Sequence, residues 1–244
     1  MSGLKAVLWR EYLFFKRRWW TITTGSMVAP LLYLVAFGWG LGKTVNLGGV
    51  AYIDFIVPGV IALSTMNASF NAVATPLSIA RLYDKTLEEY LVAPITVYSL
   101  TAGKILAGAA RGLYAAAIIL VISLLFGANF NFNSWFVTVL CLNCLVFSSL
   151  GYLAALKIKS HPDMTRFNNF VITPMIFVCG TFFSVDRLPF PFSQIIKLLP
   201  LTPASQGLRA VATGGELPWL SLAVQLGYLA VFIFWGIRAC YKVE

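Results

Sequence analysis

The sequence predicts an all-α integral membrane protein: six transmembrane helices, an amphipathic interfacial helix ahead of them, and short re-entrant helices on the external face between spans five and six. Three observations carry this fold class. Hydrophobic residues make up 59% of the 244 and charged residues 11%, and mean hydropathy is +0.81, a composition foreign to soluble domains. Apolar stretches near 20–40, 55–80, 105–126, 135–156, 167–185 and 219–238 each approach the roughly 20 residues that cross about 30 Å of hydrocarbon. Basic residues, finally, fall on alternate connections.

One set of connections holds Lys5, Arg10, Lys16, Arg17, Arg18, Arg81, Lys85, Lys104, Arg111, Lys157, Lys159, Arg166, Arg238 and Lys242, fourteen in all, against Lys43, Arg187, Lys197 and Arg209 in the other. Short cytoplasmic loops retain lysine and arginine. The N-terminus, the 81–104 loop, the 157–166 loop and the C-terminus are therefore expected in the cytoplasm. The net charge of +9 then reports topology and attraction to anionic lipid rather than to nucleic acid.

Residues 1–19 place Leu4, Val7, Leu8, Tyr12, Phe15 and Trp19 at helical spacing, with Lys5, Lys16 and Arg17 elsewhere on the wheel. Such a helix suits the cytoplasmic membrane surface, with Lys5, Trp9, Arg10, Lys16, Arg17 and Arg18 as its anchor; each cation is worth about 1 kcal/mol near anionic lipid, offset here by Glu11. Basic residues before an apolar run, with Ala36-Phe37-Gly38 behind, also imitate a secretory signal, but the run is too long for one.

In the second span Ser64, Asn67, Asn71, Thr75 and Ser78 follow at spacings of 3, 4, 4 and 3, which sets five polar side chains on one face. Such a face avoids lipid, because an amide without a partner in hydrocarbon costs several kcal/mol. Two readings stand side by side: interhelical hydrogen bonding, or the border of a wet pathway or subunit seam. Pro30, Pro58, Pro76 and Pro174 fall in or near spans and each removes a backbone donor.

Between Arg81 and Lys104 the chain becomes charged, with Asp84, Glu88 and Glu89 among its nine acidic residues. Leu87, Glu88, Glu89, Tyr90, Leu91, Val92, Ala93 and Pro94 span about two helical turns, with Leu87, Tyr90, Leu91 and Pro94 on one side. A short helix between two cytoplasmic span ends points to a soluble partner. Lys104 and Arg111 share a face at the start of the third span, where snorkelling is expected to keep both charges wet. Gly108 and Gly112 form a G-x-x-x-G that permits close helix approach.

The external segment 186–218 is too apolar for a plain connector. Leu188-Pro189-Phe190-Pro191-Phe192 leads into Ile195, Ile196, Leu198 and Leu199; Thr202-Pro203 then reads as an N-cap with proline at N1, and Gly214-Gly215 as a stop. Two short helices dipping into the outer leaflet would line or close an exit.

Several motifs dissolve. Gly38-Trp39-Gly40-Leu41-Gly42-Lys43-Thr44 ends like a P-loop, but Phe37 stands where the first glycine belongs and no strand precedes it. Cys141 and Cys144 form a C-x-x-C inside an apolar span without a second ligand pair, Cys179 and Cys240 are isolated, and Asn67-Ala68-Ser69 is a sequon within the membrane. His161 is the only histidine and no nucleophile and base accompany it. The chain is thus expected to be no enzyme and to hold no metal, ATP or other cofactor.

Taken in order, the amphipathic N-terminus, Phe55-Ile56-Val57-Pro58-Gly59 opening the second span, the Leu87 to Pro94 segment before Gly103-Lys104, Ala110-Arg111-Gly112-Leu113, and a fifth span running into apolar external helices resemble ABC-2 type transporter permeases, in the branch of nodulation-factor, drug and polysaccharide exporters. The resemblance spans nearly all of 1–244 as one transmembrane domain. It implies a homodimer in a bacterial inner membrane, joined by two separate ATPase subunits that use ATP and Mg and receive residues 87–94 as a coupling helix. It further implies a path at the dimer axis for an amphipathic or lipid-linked substrate, with Tyr33, Phe177, Phe182 and the second-span stripe as candidate lining. The membrane subunit of an energy-coupling-factor importer and a secondary carrier are the alternatives; the carrier usually needs deep ionisable groups that are scarce here.

Overall fold

The computed structural model describes residues 3–40, 46–47, 50–93, 95–128, 132–183, 189–215 and 218–242. Helix α1 (Gly3–Tyr33) runs into a π-helical turn (Leu34–Trp39), followed by a two-residue antiparallel pair, β1 (Asn46–Leu47) with β2 (Val50–Ala51). Then come α2 (Tyr52–Leu82), α3 (Thr86–Val92), α4 (Val97–Leu125), α5 (Ser134–Lys157), α6 (His161–Phe167), a π-helical turn (Asn168–Ile172), α7 (Thr173–Val178), α8 (Phe192–Lys197), α9 (Leu201–Ala212) and α10 (Trp219–Tyr241). The protein is helical as expected. Among the described residues five helices are long and apolar enough to cross a membrane: α1 with its extension, α2, α4, α5 and α10.

The segment expected as the fifth span, 167–185, is not among these five, and the helix found there is short and interrupted. Its helix begins at His161, where the Ser160 side chain accepts from the Asp163 N–H and donates to its carboxylate at 2.6 Å, closing the first turn. It ends at Val178 after the π-helical turn. Pro174 explains the turn: it has no N–H for the carbonyl four residues back, and the Thr173 N–H instead reaches Asn168, five back.

Helix α1 also carries a break. Arg18 has φ −120° and ψ 16°, outside helical values, so the basic amphipathic stretch and the apolar run meet at an angle one residue from the expected boundary at 19. The core is built around α2, packed between α4 and α5, with 72% of the apolar window buried in α2 and α5 but only 11% in α1. Glycines make the crossings close. A Cβ at Gly108 would lie 2.4 Å from Val73 Cγ2, and one at Gly112 would lie 1.9 Å from Ser69 Oγ, so the G-x-x-x-G is where α4 meets α2.

Two short helices, α8 and α9, are present within the expected 186–218. The expected cap is corrected, however: α9 starts at Leu201, and Thr202 lies inside it with its hydroxyl donating to the Ile196 carbonyl at 2.6 Å. A hydroxyl that ties α9 back to α8 is not free to serve the helix N-terminus. Gly214 ends α9 with φ +77°, and the Gly215 N–H returns to Ala210 at 2.8 Å.

Candidate functional site

A cavity of about 400 Å³ opens between α1 and α2, with Arg111 of α4 reaching it. Of the polar stripe, Ser64, Asn67 and Asn71 line it, whereas Thr75 and Ser78 do not. Asn67 Nδ2 donates to the Leu63 carbonyl at 3.2 Å and Asn71 Nδ2 to the Asn67 carbonyl at 3.0 Å. Each amide thus has one N–H satisfied within its own helix, and among the described residues the buried Ser64 Oγ has no partner. Among the described residues, no member of the stripe hydrogen-bonds another helix. That work falls to Asn143 of α5, fully buried, whose Nδ2 donates to the Ala62 carbonyl at 3.0 Å and to Thr65 Oγ1 at 2.8 Å.

Tyr33 also lines the cavity, and the other candidate aromatics gather with it. The Phe182 ring lies 5.4 Å from Tyr33, 4.6 Å from Phe37 and 6.1 Å from Phe177. Tyr52 donates to the Phe182 carbonyl at 3.2 Å, which fixes the cluster to the start of α2.

Helix α3 shows two faces. Leu87 and Tyr90 are buried, and Glu88 and Glu89 are exposed beside a depression they share with Asp84, Lys85 and Ala93. Leu91 and Val92 complete the helix, while Pro94 lies outside the described residues. Lys85 enters α3 through the left-handed region, φ 53°, a conformation that sets the helix sharply off α2. The Tyr90 ring takes the Arg10 guanidinium at 4.7 Å and Lys104 Nζ at 5.4 Å.

The expectation that Lys104 and Arg111 are wet is overturned. Lys104 Nζ lies 2.6 Å from Glu11 Oε1 and Arg111 Nη2 lies 3.3 Å from Glu11 Oε2, with side-chain exposures of only 10–12%. The amphipathic α1 lies across α4 and brings its carboxylate to both cations, which makes snorkelling unnecessary. Lys5, Trp9, Arg10, Lys16, Arg17 and Arg18 are all exposed, with Arg10 over the Tyr90 ring and Arg18 over the Phe14 ring.

A second, partly buried cation sits at the opposite end. Arg209 of α9 donates through Nε to the Phe55 carbonyl at 3.1 Å and through Nη2 to Gly180 and Thr181 at 2.8 and 3.2 Å, with its guanidinium 3.7 Å above the Phe55 ring. Gly59 makes room: a Cβ there would meet the Thr181 carbonyl at 2.8 Å and Arg209 Nη2 at 3.2 Å. The Phe55 to Gly59 motif is thereby a seat for α9. Sequence reasoning missed Glu11, Asn143 and Arg209 as structural partners. A lone acid in a basic helix, a lone amide in an apolar span and a lone charge in an apolar helix were the available signals.

Cys141 and Cys144 are unpaired thiols on α5, the second fully buried. A membrane bundle with a partly polar, side-opening cavity, a short charged helix at one end and the short helices α8 and α9 at the other suits a transport subunit. Residues 2–212 match the ABC-2 type transporter family, and the chain belongs to it. It is 32% identical over 246 residues to the inner membrane transport permease YadH of Escherichia coli strain K12, covering 99% of this chain and 94% of that one. To nodulation protein J of Rhizobium meliloti strain 1021 it is 29% identical over 245 residues, covering 98% and 87%. To that of Neorhizobium galegae it is 30% identical over 236 residues, covering 93% and 87%. The protein is a multi-pass membrane protein of the ABC-2 type transporter family.

Proposed function

We propose that two copies of this chain form the membrane part of an ATP-driven exporter, with six spans each and both termini in the cytoplasm. The broken segment from His161 to Val178 serves as the fifth span, and residues 3–18 lie in the cytoplasmic interface. Two separate ATPase subunits supply the nucleotide sites for ATP and Mg. The substrate is amphipathic or lipid-linked, leaves the cytoplasm or the inner leaflet, and passes the cavity bordered by Ser64, Asn67, Asn71 and Tyr33 toward the Phe177 and Phe182 cluster.

One observation carries the reading. Asn67 and Asn71 face a cavity and not a neighbouring helix, and each amide makes only one hydrogen bond within its own helix, so the rest of its cost in a bilayer is met by water or by cargo. The cavity opens along α1, the least buried of the crossing helices, which leaves α1 and α2 for a second copy to cover. Glu88 and Glu89 supply the exposed charge and Leu87 and Tyr90 the inward attachment, the division a coupling helix needs to pass movement from a soluble partner into the bundle. The importer and carrier alternatives lack such an observation.

The test is the stoichiometry of what co-purifies with the chain, combined with Asn67→Leu/Asn71→Leu. Two copies with two ATPase subunits, and a double variant that folds and assembles but exports at least about tenfold less per folded complex, is the expected result. Normal export by the double variant would return the stripe to packing, and a complex without an ATPase would remove the exporter reading altogether.

A further inference from the structure

At the other edge of the bundle a groove of about 260 Å³ runs between α5, the start of the His161–Val178 segment and α10. Leu150, Leu153, Ala154, Ile158 and Phe167 form its apolar bed and Trp235 its wall. Its mouth is cationic. Lys157 Nζ stands 5.4 Å from the centre of the Trp235 ring, and the Arg238 guanidinium 6.0 Å from the same ring. Both side chains are exposed, and among the described residues neither has a carboxylate within ion-pair distance. The acid nearest Lys157 in sequence, Asp163, is held by Arg166 at 2.8 Å. Lys159 and Lys242, also exposed, add to the same end.

A tryptophan with a polar edge and an apolar face settles at headgroup depth, and basic pockets between spans attract anionic headgroups. The groove adds the third component, an apolar slot that continues from the cations toward the bilayer centre. We propose that this groove is a binding site for one anionic phospholipid of the surrounding membrane. Its phosphate lies between Lys157 and Arg238, and one acyl chain lies along Leu150, Leu153 and Phe167. A second copy of the chain is a poorer occupant, because it would cover two cations without supplying them a counter-charge, and lysine is depleted from the centres of protein interfaces.

The experiment uses the whole chain reconstituted in vesicles whose acyl chains are brominated either on phosphatidylglycerol or on phosphatidylcholine. Trp235 is one of seven tryptophans, so its quenching is read as the difference between the chain and its Trp235→Phe variant. Brominated phosphatidylglycerol should quench Trp235 at mole fractions where brominated phosphatidylcholine does not. Lys157→Gln/Arg238→Gln should lower that preference about 25-fold, the equivalent of two headgroup contacts at about 1 kcal/mol each. Leu153→Trp, which fills the slot and keeps both cations, should weaken quenching by either lipid. Three results overturn the proposal: equal quenching by the two lipids in the parent chain, an unchanged preference in the double variant, or protection from both lipids together with loss of protection on dissociation of the dimer.

Discussion

Replacing Glu11 by alanine separates a buried ion network from a surface one. The three side chains are 10–12% exposed, and Glu11 stands alone against two cations, at 2.6 Å from Lys104 and 3.3 Å from Arg111. An exposed pair is worth about 0–1 kcal/mol, whereas removing one partner from a buried pair costs about 3–5 kcal/mol, because an uncompensated charge stays behind. Glu11→Ala leaves two. The expected loss is therefore about 3–5 kcal/mol, while Lys104→Met, which leaves Glu11 with Arg111, should cost about 1 kcal/mol. The triple change Glu11→Met/Lys104→Met/Arg111→Met removes every charge and should be less destabilising than Glu11→Ala alone, since apolar replacement of a whole buried network is often near neutral. Unfolding in mixed micelles, followed by helical circular dichroism, measures all three. A loss under about 1 kcal/mol for Glu11→Ala, or a triple variant worse than the single one, would refute the buried-network argument.

Further expectations follow from the other close contacts. Gly112→Ala should destabilise the α2–α4 crossing by about 1–3 kcal/mol, because its Cβ would lie 1.9 Å from Ser69 Oγ; Ser69→Gly in the same chain should restore much of the loss, read by the same unfolding assay. Gly59→Ala should do comparable damage at the opposite end by displacing the Thr181 carbonyl and Arg209, and protease sensitivity of the α8–α9 segment should rise with it. Glu88→Lys/Glu89→Lys should leave insertion intact, since both side chains are exposed, and should uncouple ATP hydrolysis from export; export at the parent rate would remove α3 from the coupling role. In a background without the four native cysteines, single cysteines within 157–166 should resist a membrane-impermeant thiol reagent in intact cells and those at exposed positions of 189–198 should react; the reverse pattern would invert the proposed orientation.

Residues whose role is local were legible in the sequence, and residues whose role depends on a distant partner were not. The G-x-x-x-G of α4 and the Gly214 stop act through backbone geometry that the residue type already dictates, and both stand where the sequence puts them. The inward face of α3, with Leu87 and Tyr90, follows from helical spacing alone. Glu11, by contrast, meets its cations across separations of 93 and 100 residues, and Arg209 reaches Phe55 across 154. Periodicity cannot see such pairs. The polar stripe shows both cases at once: its common face was readable, but the cavity reaches only its upper three members, because α1 covers α2 along that part. The bounds of the 161–178 segment escaped for a related reason, since Pro174 was visible while the register shift that absorbs it was not.

The three carbonyls that hold Arg209 have a bearing on where such a protein can work. A guanidinium stays protonated across the physiological range and a peptide oxygen has no proton to exchange. On the proposed orientation this clamp faces the compartment outside the inner membrane, whose acidity follows the surroundings of the cell. A closure made of aspartate and lysine there would loosen whenever the medium soured. One made of arginine and main chain keeps the same grip across that range.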